Sequence, residues 1–396
     1  MVGSGFIARG LAHVLQSHPE YSLRHVLTRR DVRRCSEFPR PDLLTNSLEQ
    51  VIDHSDLIVE CSGDVVHATR VVDAALQAGL PVVTMDAEFH VTTGSYFVGK
   101  GLLTEAEGDQ PGSLAAMAEE ARDMGFRILV YGNRKGYYHP DPPRDQMEFW
   151  AKKQGLSIDQ VTGFTDGTKV QIEQALVANG LGATIVQDGM LGLDAEDLTS
   201  GGLALVAHAV KLNQPISDYV VAPKAPAGIF LVTEQDPRQQ PYLDYLKLGP
   251  GPYYVLIHNY HLCHLEIPKT IKRVLRGDGA LLDNSTSPTV SIAAIAKREL
   301  TPGQRIRRGI GSFELRGEAV RIADHPNHLP IGLVSDAVMA RRVAPGQRLS
   351  MDDAELPDSL AVRAWAQIRE RAVAQPGAKA AVVALEGGRS PTWCSA

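Results

Sequence analysis

Apolar residues set the first rhythm of the chain. Met1-Val2 leads into Gly3-Ser4-Gly5, and from there Ile7, Leu11 and Val14/Leu15 recur on one helical face. Residues 23–27 read as a strand. Residues 57–61 form another apolar run, followed by a helical face of Val71, Val72, Ala75 and Leu76 that Gly79 closes. A strand over 81–85, a helix over 112–125 and a strand over 127–131 continue the alternation. Strands apolar on both faces, alternating with helices, predict a doubly covered parallel sheet.

The rhythm then changes. A helix is predicted over 166–180, strands over 229–234 and 253–259, and a helix over 264–277, with turn-rich segments at 236–241 and 249–252. This mixture predicts an α+β domain laid on the first. The polar stretch 283–288 reads as a boundary. Beyond it come short β-like pieces carrying an echo, Pro302-Gly303-Gln304-Arg305 and Pro345-Gly346-Gln347-Arg348, which predicts two related turns in one small β domain. From about Pro376 the chain is rich in Gly, Ala and Ser and reads as a frayed end.

Composition narrows the partners. With 396 residues, 44% hydrophobic and 22% charged, the chain holds two or three globular domains and is not disordered over most of its length. Forty basic against 46 acidic residues give a net charge of −6, so no excess of cations is available for a nucleic-acid backbone. Cys35, Cys61, Cys263 and Cys394 form no C-x-x-C pair, which argues against structural zinc and fits a reducing compartment. No apolar run approaches the ~18 residues of a membrane span. The first residues lack the charged-then-apolar order of a signal peptide. The expectation is a cytoplasmic protein without membrane contact.

Six constellations could carry chemistry. The turn Gly3-x-Gly5-x-x-Ala8 opens a helix, where a dinucleotide fold needs glycines so that the backbone can approach a pyrophosphate at the helix N-terminus. Phe6 and Ile7 begin that helix; a plain tight turn is the alternative. A strand of about five or six residues is expected ahead of such a turn, and Met1-Val2 precede Gly3. At the end of the second strand an acidic residue would bind ribose hydroxyls. Arg29 and Arg30 stand there instead and offer charged planar forks for a 2′-phosphate, so NADP is expected over NAD, with NAD also admissible. A solvated basic turn running into Arg33-Arg34 is the alternative. Cys61-Ser62-Gly63 and Asp86-Ala87-Glu88 end the next two strands and face the same crevice, unless they are only helix caps.

After strand 127–131, Arg134 and Lys135 sit between Gly132 and Gly136, placed to anchor an anionic group unless they form an exposed basic turn. Lys169 falls on the first turn of the 166–180 helix, with Thr168 and Gln171 in capping-box spacing. The helix dipole opposes a cation there, which suits a lysine that exchanges a proton or polarises a carbonyl, with Asp166 holding its ammonium. A surface lysine paired with Glu173 is the alternative. The segment His258–Glu266 has metal-like spacing. In a strand, however, His261 and Cys263 would share one face and His258 and His264 the other, so satisfied polar residues at a domain seam are the simpler reading. His261 and Glu266 remain candidates for acid/base or substrate contact.

Taken together, Gly3-x-Gly5, Cys61-Ser62-Gly63, the Asp86-Ala87-Glu88 phrase with Val91-Thr92-Thr93-Gly94, Gly108-Asp109-Gln110-Pro111, Asp166–Lys169, Tyr260-His261-Leu262 with Glu266, and Leu329-Pro330-Ile331-Gly332-Leu333 resemble one family. It is that of predicted homoserine dehydrogenase-like oxidoreductases with a C-terminal SAF domain, the group of deoxyxylulose-5-phosphate reductoisomerase-like enzymes and apionate oxidoisomerases. The resemblance covers about residues 1–356. It implies an α/β protein with a Rossmann domain (1–130), a homoserine-dehydrogenase-like catalytic and dimerisation domain (131–285), a β-clip SAF domain (286–357), and a C-terminal helix and tail (358–396). Many relatives carry Gly-Lys-Gly where this chain has Gly132–Gly136, with the lysine two positions late.

The reading is an NADP-preferring oxidoreductase, with isomerisation suggested by the resemblance, acting on a small anionic carbohydrate derivative such as a sugar acid or sugar phosphate. Lys169 and Asp166 would act on the reacting oxygen, and Lys135 with Arg134 would anchor the acid. A divalent metal would suit enediolate-like intermediates, although the sequence offers no ligand set. Homoserine dehydrogenase and a non-catalytic nucleotide sensor are the alternatives. A homodimer through the middle domain is expected from the resemblance.

Overall fold

The computed structural model describes residues 1–374; Cys394 and the tail from about Pro376 lie outside the described residues. The first unit runs α1 (Phe6–Gln16), β1 (Val26–Leu27), β2 (Leu44–Thr45), α2 (Leu48–Asp53), β3 (Ile58–Glu60), α3 (Val65–Gln77), β4 (Val82–Thr84), α4 (Ala87–Thr93) and β5 (Leu103–Glu105). Val2 is bridged in parallel to both Leu27 and Glu60 and so joins the halves of the sheet. The order across the hydrogen bonds is β2, β1, Val2, β3, β4, β5, all parallel. That is the doubly wound order, with its switch point between β1 and β3. The strands are shorter than their apolar runs, but Val26, Ile58, Val82 and Val83 are completely buried, as the continuous runs require.

The second unit adds α5 (Gln110–Asp123), β6 (Arg127–Lys135), α6 (Arg144–Gln154), α7 (Ile158–Thr165), α8 (Thr168–Gly180), β7 (Leu193–Asp194), α9 (Leu198–Leu212), β8 (Ile216–Val221), β9 (Ile229–Glu234), α10 (Gln240–Tyr245), β10 (Tyr253–His258) and α11 (Ile267–Arg276). Its sheet has the order β10-β9-β6-β8-β7. Ile229 and Leu231 of β9 face α5 and α8, while Phe230 and Val232 face α9, the alternation that a two-sided sheet demands. A bulge between Ile128 and Val130 in β6 lets Leu129 and Val130 both join the α9 side. Gly132 sits in β6 because a Cβ there would lie 2.1 Å from the Phe230 ring.

Two sequence expectations shift at the end of this unit. The helix expected over 264–277 is a short 3-10 turn, Cys263–Leu265, followed by α11, with Gly277 at φ +80° terminating it. Ile267, Ile271 and Val274 of α11 bury against Met1, Leu11 and Leu15, so the chain returns to complete the first unit. The polar stretch expected as a boundary carries one fully buried polar residue at a seam, Asn284. It accepts from Asn179 Nδ2 at 2.8 Å and donates to the Val91 carbonyl at 3.1 Å. Its polarity serves these bonds rather than solvent.

The last unit holds β11 (Val290–Ala296), β12 (Arg305–Ile306), β13 (Leu315–Arg321), β14 (Ala337–Met339), β15 (Ala354–Glu355) and α12 (Leu360–Ala374). The echoed phrases form matching turns. Gly303 and Gly346 both stand at φ +80°, and the Gln304 and Gln347 side chains each accept from a backbone N–H three residues earlier, at 3.1 Å. Strands β11 and β13 pack on α8, and α12 packs on the first unit through Trp365 and Val65. Among the described residues no helix is long and apolar enough to cross a membrane.

Candidate active site

The C-terminal ends of Val2, β1, β3, β4 and β5 converge on one crevice. Gly3 lies at φ +101°, and a Cβ there would sit 2.6 Å from the Cys61 carbonyl oxygen, so two strand ends touch because it is glycine. A Cβ at Gly5 meets nothing within 4 Å, and Gly5 caps α1 without a side-chain hydrogen bond. Protein atoms therefore leave both space and free N–H groups at this helix start, which fits a pyrophosphate. Phe6 is exposed and stands edge-on to His264, while Ile7 packs on the core.

Beside this turn lies a cavity of ≈ 300 Å³ lined by Thr28, Arg29, Arg30, Asn46, His67 and Arg70. Arg30 is committed: it donates to the Ser4 hydroxyl at 3.0 Å and the Ser4 carbonyl at 2.6 Å, and pairs with Glu37 at 3.3 Å. Arg29 pairs with Asp64 at 2.8 Å and keeps 58% of its side chain exposed, so it can turn to a ligand. Asp64 and Asp86 also cap α3 and α4, so the plain cap reading holds for both aspartates. Gly63 turns at φ +66°, and the Ser62 N–H donates to Glu60 at 2.8 Å. Burial pushes the Cys61 thiol far up and the Glu60 carboxyl to about 7. Ala87 is buried at the start of α4.

Lys169 forms the centre of the second half of the site. Its Nζ lies 3.0 Å from Glu88, 3.8 Å from Glu173 and 3.9 Å from Asp109. Burial works against the charge, but Asp109, Glu88 and Glu173 together outweigh it and hold the ammonium well above its ordinary pKa. The expectation of a lysine softened toward neutral pH by the helix dipole is thus corrected: three carboxylates overrule the dipole.

Asp166 is corrected too. It does not hold Lys169; it forms a buried pair with Lys297 at 2.7 Å and accepts from the Thr168 N–H at 2.9 Å. The capping-box reading also fails. Gly167 is the N-cap of α8, while Thr168 Oγ1 accepts from the Gly317 N–H and Gln171 Oε1 from the Ala319 N–H. Helix α8 is docked on β13, whose edge N–H groups claim both side chains.

Strand β6 runs on through Lys135, so Asn133 and Lys135 point one way and Arg134 the other. Arg134 donates to the Ala222 and Pro223 carbonyls and cannot share an anion with Lys135. Lys135 is buried, donates to the Phe164 carbonyl, and is pushed down to about 8 by burial, against Glu173 and Asp166. Burial raises Glu173, which stands between Lys135 and Lys169.

His261 joins this cluster through side chains. Gln110 Nε2 lies 3.3 Å from His261 Nε2, Asn133 donates to Gln110 Oε1, and Asn133 donates to Glu173 at 3.1 Å. His261 and Cys263 are not in a strand; β10 ends at His258 and a 3-10 turn follows. Gly108, at φ +98°, admits that turn, since a Cβ there would sit 2.0 Å from the Cys263 carbonyl oxygen. Glu266 bonds to the backbone of the same loop. It accepts from the Leu262 N–H at 2.7 Å and pairs with Lys269 at 2.9 Å, fixing the loop that carries His261. No group of three or more His, Cys, Asp or Glu residues with metal-binding geometry occurs among the described residues.

The sequence reading singled out neither Asp109, Gln110 nor Asn133 as site residues, and it met Glu173 only as a surface partner. The signals were the Gly108–Pro111 phrase at a predicted helix start and the i,i+4 spacing of Lys169 and Glu173.

Residues 108–267 match the family model described as oxidoreductase DRL, catalytic domain. The match spans Asp109, Asn133, Lys135, Lys169, Glu173 and His261. No curated protein matches the sequence. Solved structures similar to this chain include a UDP-N-acetylglucosamine 3-dehydrogenase from Acidithiobacillus ferrooxidans (13% identity, 72% of this chain and 90% of that one, TM-score 0.41). Others are an oxidoreductase from Thermotoga maritima (12%, 72% and 90%, TM-score 0.39) and a dehydrogenase from Clostridium difficile (13%, 71% and 91%, TM-score 0.37). The resemblance to homoserine dehydrogenase-like and reductoisomerase-like proteins is corrected by these findings, since the catalytic-domain model that matches is that of oxidoreductase DRL. Residues 108–267, which include the residues gathered around Lys169, are thus similar to an oxidoreductase catalytic domain.

Proposed function

We propose that the protein is an NADP-preferring oxidoreductase acting on a small hydroxylated carbohydrate derivative, a sugar acid or sugar phosphate among them. The observation that carries the reading is Lys169, an ammonium fixed by three carboxylates where the catalytic unit meets the strand ends of the first unit. The Gly3–Gly5 turn and the start of α1 would hold the pyrophosphate, and Cys61–Gly63 would line its path. Arg29, with Arg70 across the ≈ 300 Å³ cavity, would take a 2′-phosphate, which supports the preference for NADP. When bound, the nicotinamide ring supplies the hydride acceptor or donor.

The chain's own residues do the rest. Lys169 polarises the oxygen of the reacting carbon and stabilises negative charge there. Lys135, pushed down to about 8 by burial, is the group that can exchange a proton near neutral pH. His261, held through Gln110, contacts substrate hydroxyls. With Arg134 turned away, Lys135 is the cation of that strand that would meet an acid group, exchanging its bond to the Phe164 carbonyl for it.

Two measurements test this. Titration with NADPH and NADH should give tighter binding of NADPH. Lys169→Ala should then lose about 10²–10⁴-fold in turnover of sugar acids or sugar phosphates, with NADPH affinity kept. Tighter NADH binding would sink the arginine assignment, and a K169A enzyme with unchanged turnover would sink the role of the lysine.

A further inference from the structure

We propose that Asn133 and Gln110 are positioning residues that hold the His261 imidazole with its proton on Nδ1, so that His261 offers a substrate oxygen a hydrogen-bond donor and not a base; this rests on the reading of the Lys169 site above. Asn133 is completely buried in β6, paired with Tyr219 of β8 on one side and Ile229 of β9 on the other. A central strand disfavours asparagine; what the side chain contributes there is a pair of donors. Its Nδ2 donates to Glu173 Oε2 at 3.1 Å and to Gln110 Oε1. Its Oδ1 is buried with no partner. Turning the amide over would leave an NH2 bare in that place and aim a carbonyl at two acceptors, which costs more than one bare carbonyl.

The direction of the chain of bonds follows from this end. Lys169 Nζ faces Glu173 Oε1 at 3.8 Å and Asn133 faces Oε2, so Glu173 accepts on both sides. Gln110 takes its bond from Asn133 on Oε1, which turns its Nε2 toward His261 Nε2, 3.3 Å away. An amide nitrogen only donates, so His261 Nε2 is the acceptor and the neutral ring carries its proton on Nδ1. Among the described residues the one hydrogen-bond contact of Nδ1 is Cys263 Sγ, at 4.0 Å. That long contact leaves the Nδ1–H to a ligand. The loop beneath the ring is fixed: Glu266 accepts from the Leu262 N–H at 2.7 Å, and Cys263 stands in the left-handed conformation at φ +48°. A carbonyl or hydroxyl oxygen of the substrate would accept from Nδ1, while Nε2, engaged by Gln110, takes no proton from it. Proton exchange then falls to Lys135.

The test reads the tautomer itself. In the full chain without nucleotide at pH 8, long-range nitrogen–proton correlation spectra of isotope-labelled histidine, with H261N identifying the signal, should show His261 in the Nδ1–H form. Gln110→Glu replaces the donor by a second acceptor and should convert His261 to the Nε2–H form; a glutamine that only packs would leave the tautomer unmoved. His261→Asn places an N–H near where Nδ1 stood and should keep kcat within about tenfold of the wild type, the scale of one neutral hydrogen bond. His261→Ala has no donor and should lose about 10²–10³-fold, as when one preorganised donor is removed, with NADPH affinity unchanged in both. The proposal is overturned by an Nε2–H ring or an imidazolium in the wild type, by a tautomer that Q110E does not move, or by H261N as slow as H261A. The spectra need neither substrate nor nucleotide, so they stand or fall separately from the proposed function.

Discussion

Replacing Lys297 by Met should destabilise the protein by about 3–5 kcal/mol near pH 8, the usual cost of removing one partner from a buried ion pair. Asp166 and Lys297 are 0% and 1% exposed, with Nζ and Oδ2 2.7 Å apart, so water cannot replace the missing ammonium. The Lys297 Nζ also donates to the Ser312 carbonyl at 2.8 Å, and that acceptor is orphaned as well. Burial already raises the pKa of Asp166 against the pull of Lys297, and removing Lys297 raises it further. A carboxyl whose folded pKa exceeds its unfolded value contributes most below the unfolded value and loses stability as pH rises through the folded one. The cost of K297M should therefore be smaller at pH 5 than at pH 8, because the stranded Asp166 can take up a proton. Urea unfolding followed by intrinsic fluorescence at both pH values measures this. In the double variant D166N/K297M the loss should be much smaller than the sum of the singles. A loss below about 1 kcal/mol at pH 8, far under the usual range, or an equal loss at both pH values, would refute the reasoning. Turnover abolished in D166N with unfolding unchanged would return Asp166 to the chemistry.

Lys135, with a folded pKa of about 8 against an ordinary 10.5, should give the wild type a pH–rate limb near 8 that Lys135→Met lacks. Its depressed pKa contributes stability that is full above 10.5 and is lost as pH falls through about 8, so the wild type should gain on K135M across that window in urea melts. Gly108→Ala forces a Cβ to within 2.0 Å of the Cys263 carbonyl oxygen at φ +98°. The His261 loop must move, and kcat should fall about 10²-fold while NADPH titrations match the wild type.

The first unit was legible because its strands are buried on both faces and its turns are short. Apolar runs such as 57–61 and 81–85, with glycines at Gly3 and Gly63, state the doubly wound order almost directly. The site was legible only where one segment carries it. Lys169 stands out because it opposes the dipole of its own helix, but the residues that settle its charge come from α4, α5 and α8, and one-dimensional spacing shows only Glu173. Asp166 misled for the same reason: three residues from Lys169 in sequence, it answers to Lys297, 131 residues away. Arg134 and Lys135 were read as one anchor because strand β6 was ended at Tyr131; four more strand residues put them on opposite faces. Helices α6, α7 and α9 and strand β8 went unread. Helix α9 carries Gly201 and Gly202 where a Cβ would meet Ala195 and Val220 or Phe230, so its composition follows close packing on the sheet rather than helix propensity.

The charge balance around Lys169 constrains what the site can accept. Glu60, Asp86, Glu88, Glu105, Asp109 and Glu173 stand in and behind it, against Lys169 and Lys135. Six buried charges against two would be costly, and burial raises the pKa of Glu60, Asp86, Glu105 and Glu173, which lessens the negative charge the site carries. Glu88 is the exception. Burial would raise it, but Lys169 at 3.0 Å dominates and keeps it ionised. A ligand oxygen that reaches the Lys169 ammonium must loosen one of its carboxylate contacts, and the freed carboxylate then needs a donor of its own. A hydroxyl meets both demands at once, accepting from Lys169 and donating to Glu88 or Glu173. A bare carboxylate meets only the first and adds a like charge. On the proposed function, the cluster would select for hydroxyls at the reacting end and leave an acid or phosphate group to the far end of the substrate, toward Lys135.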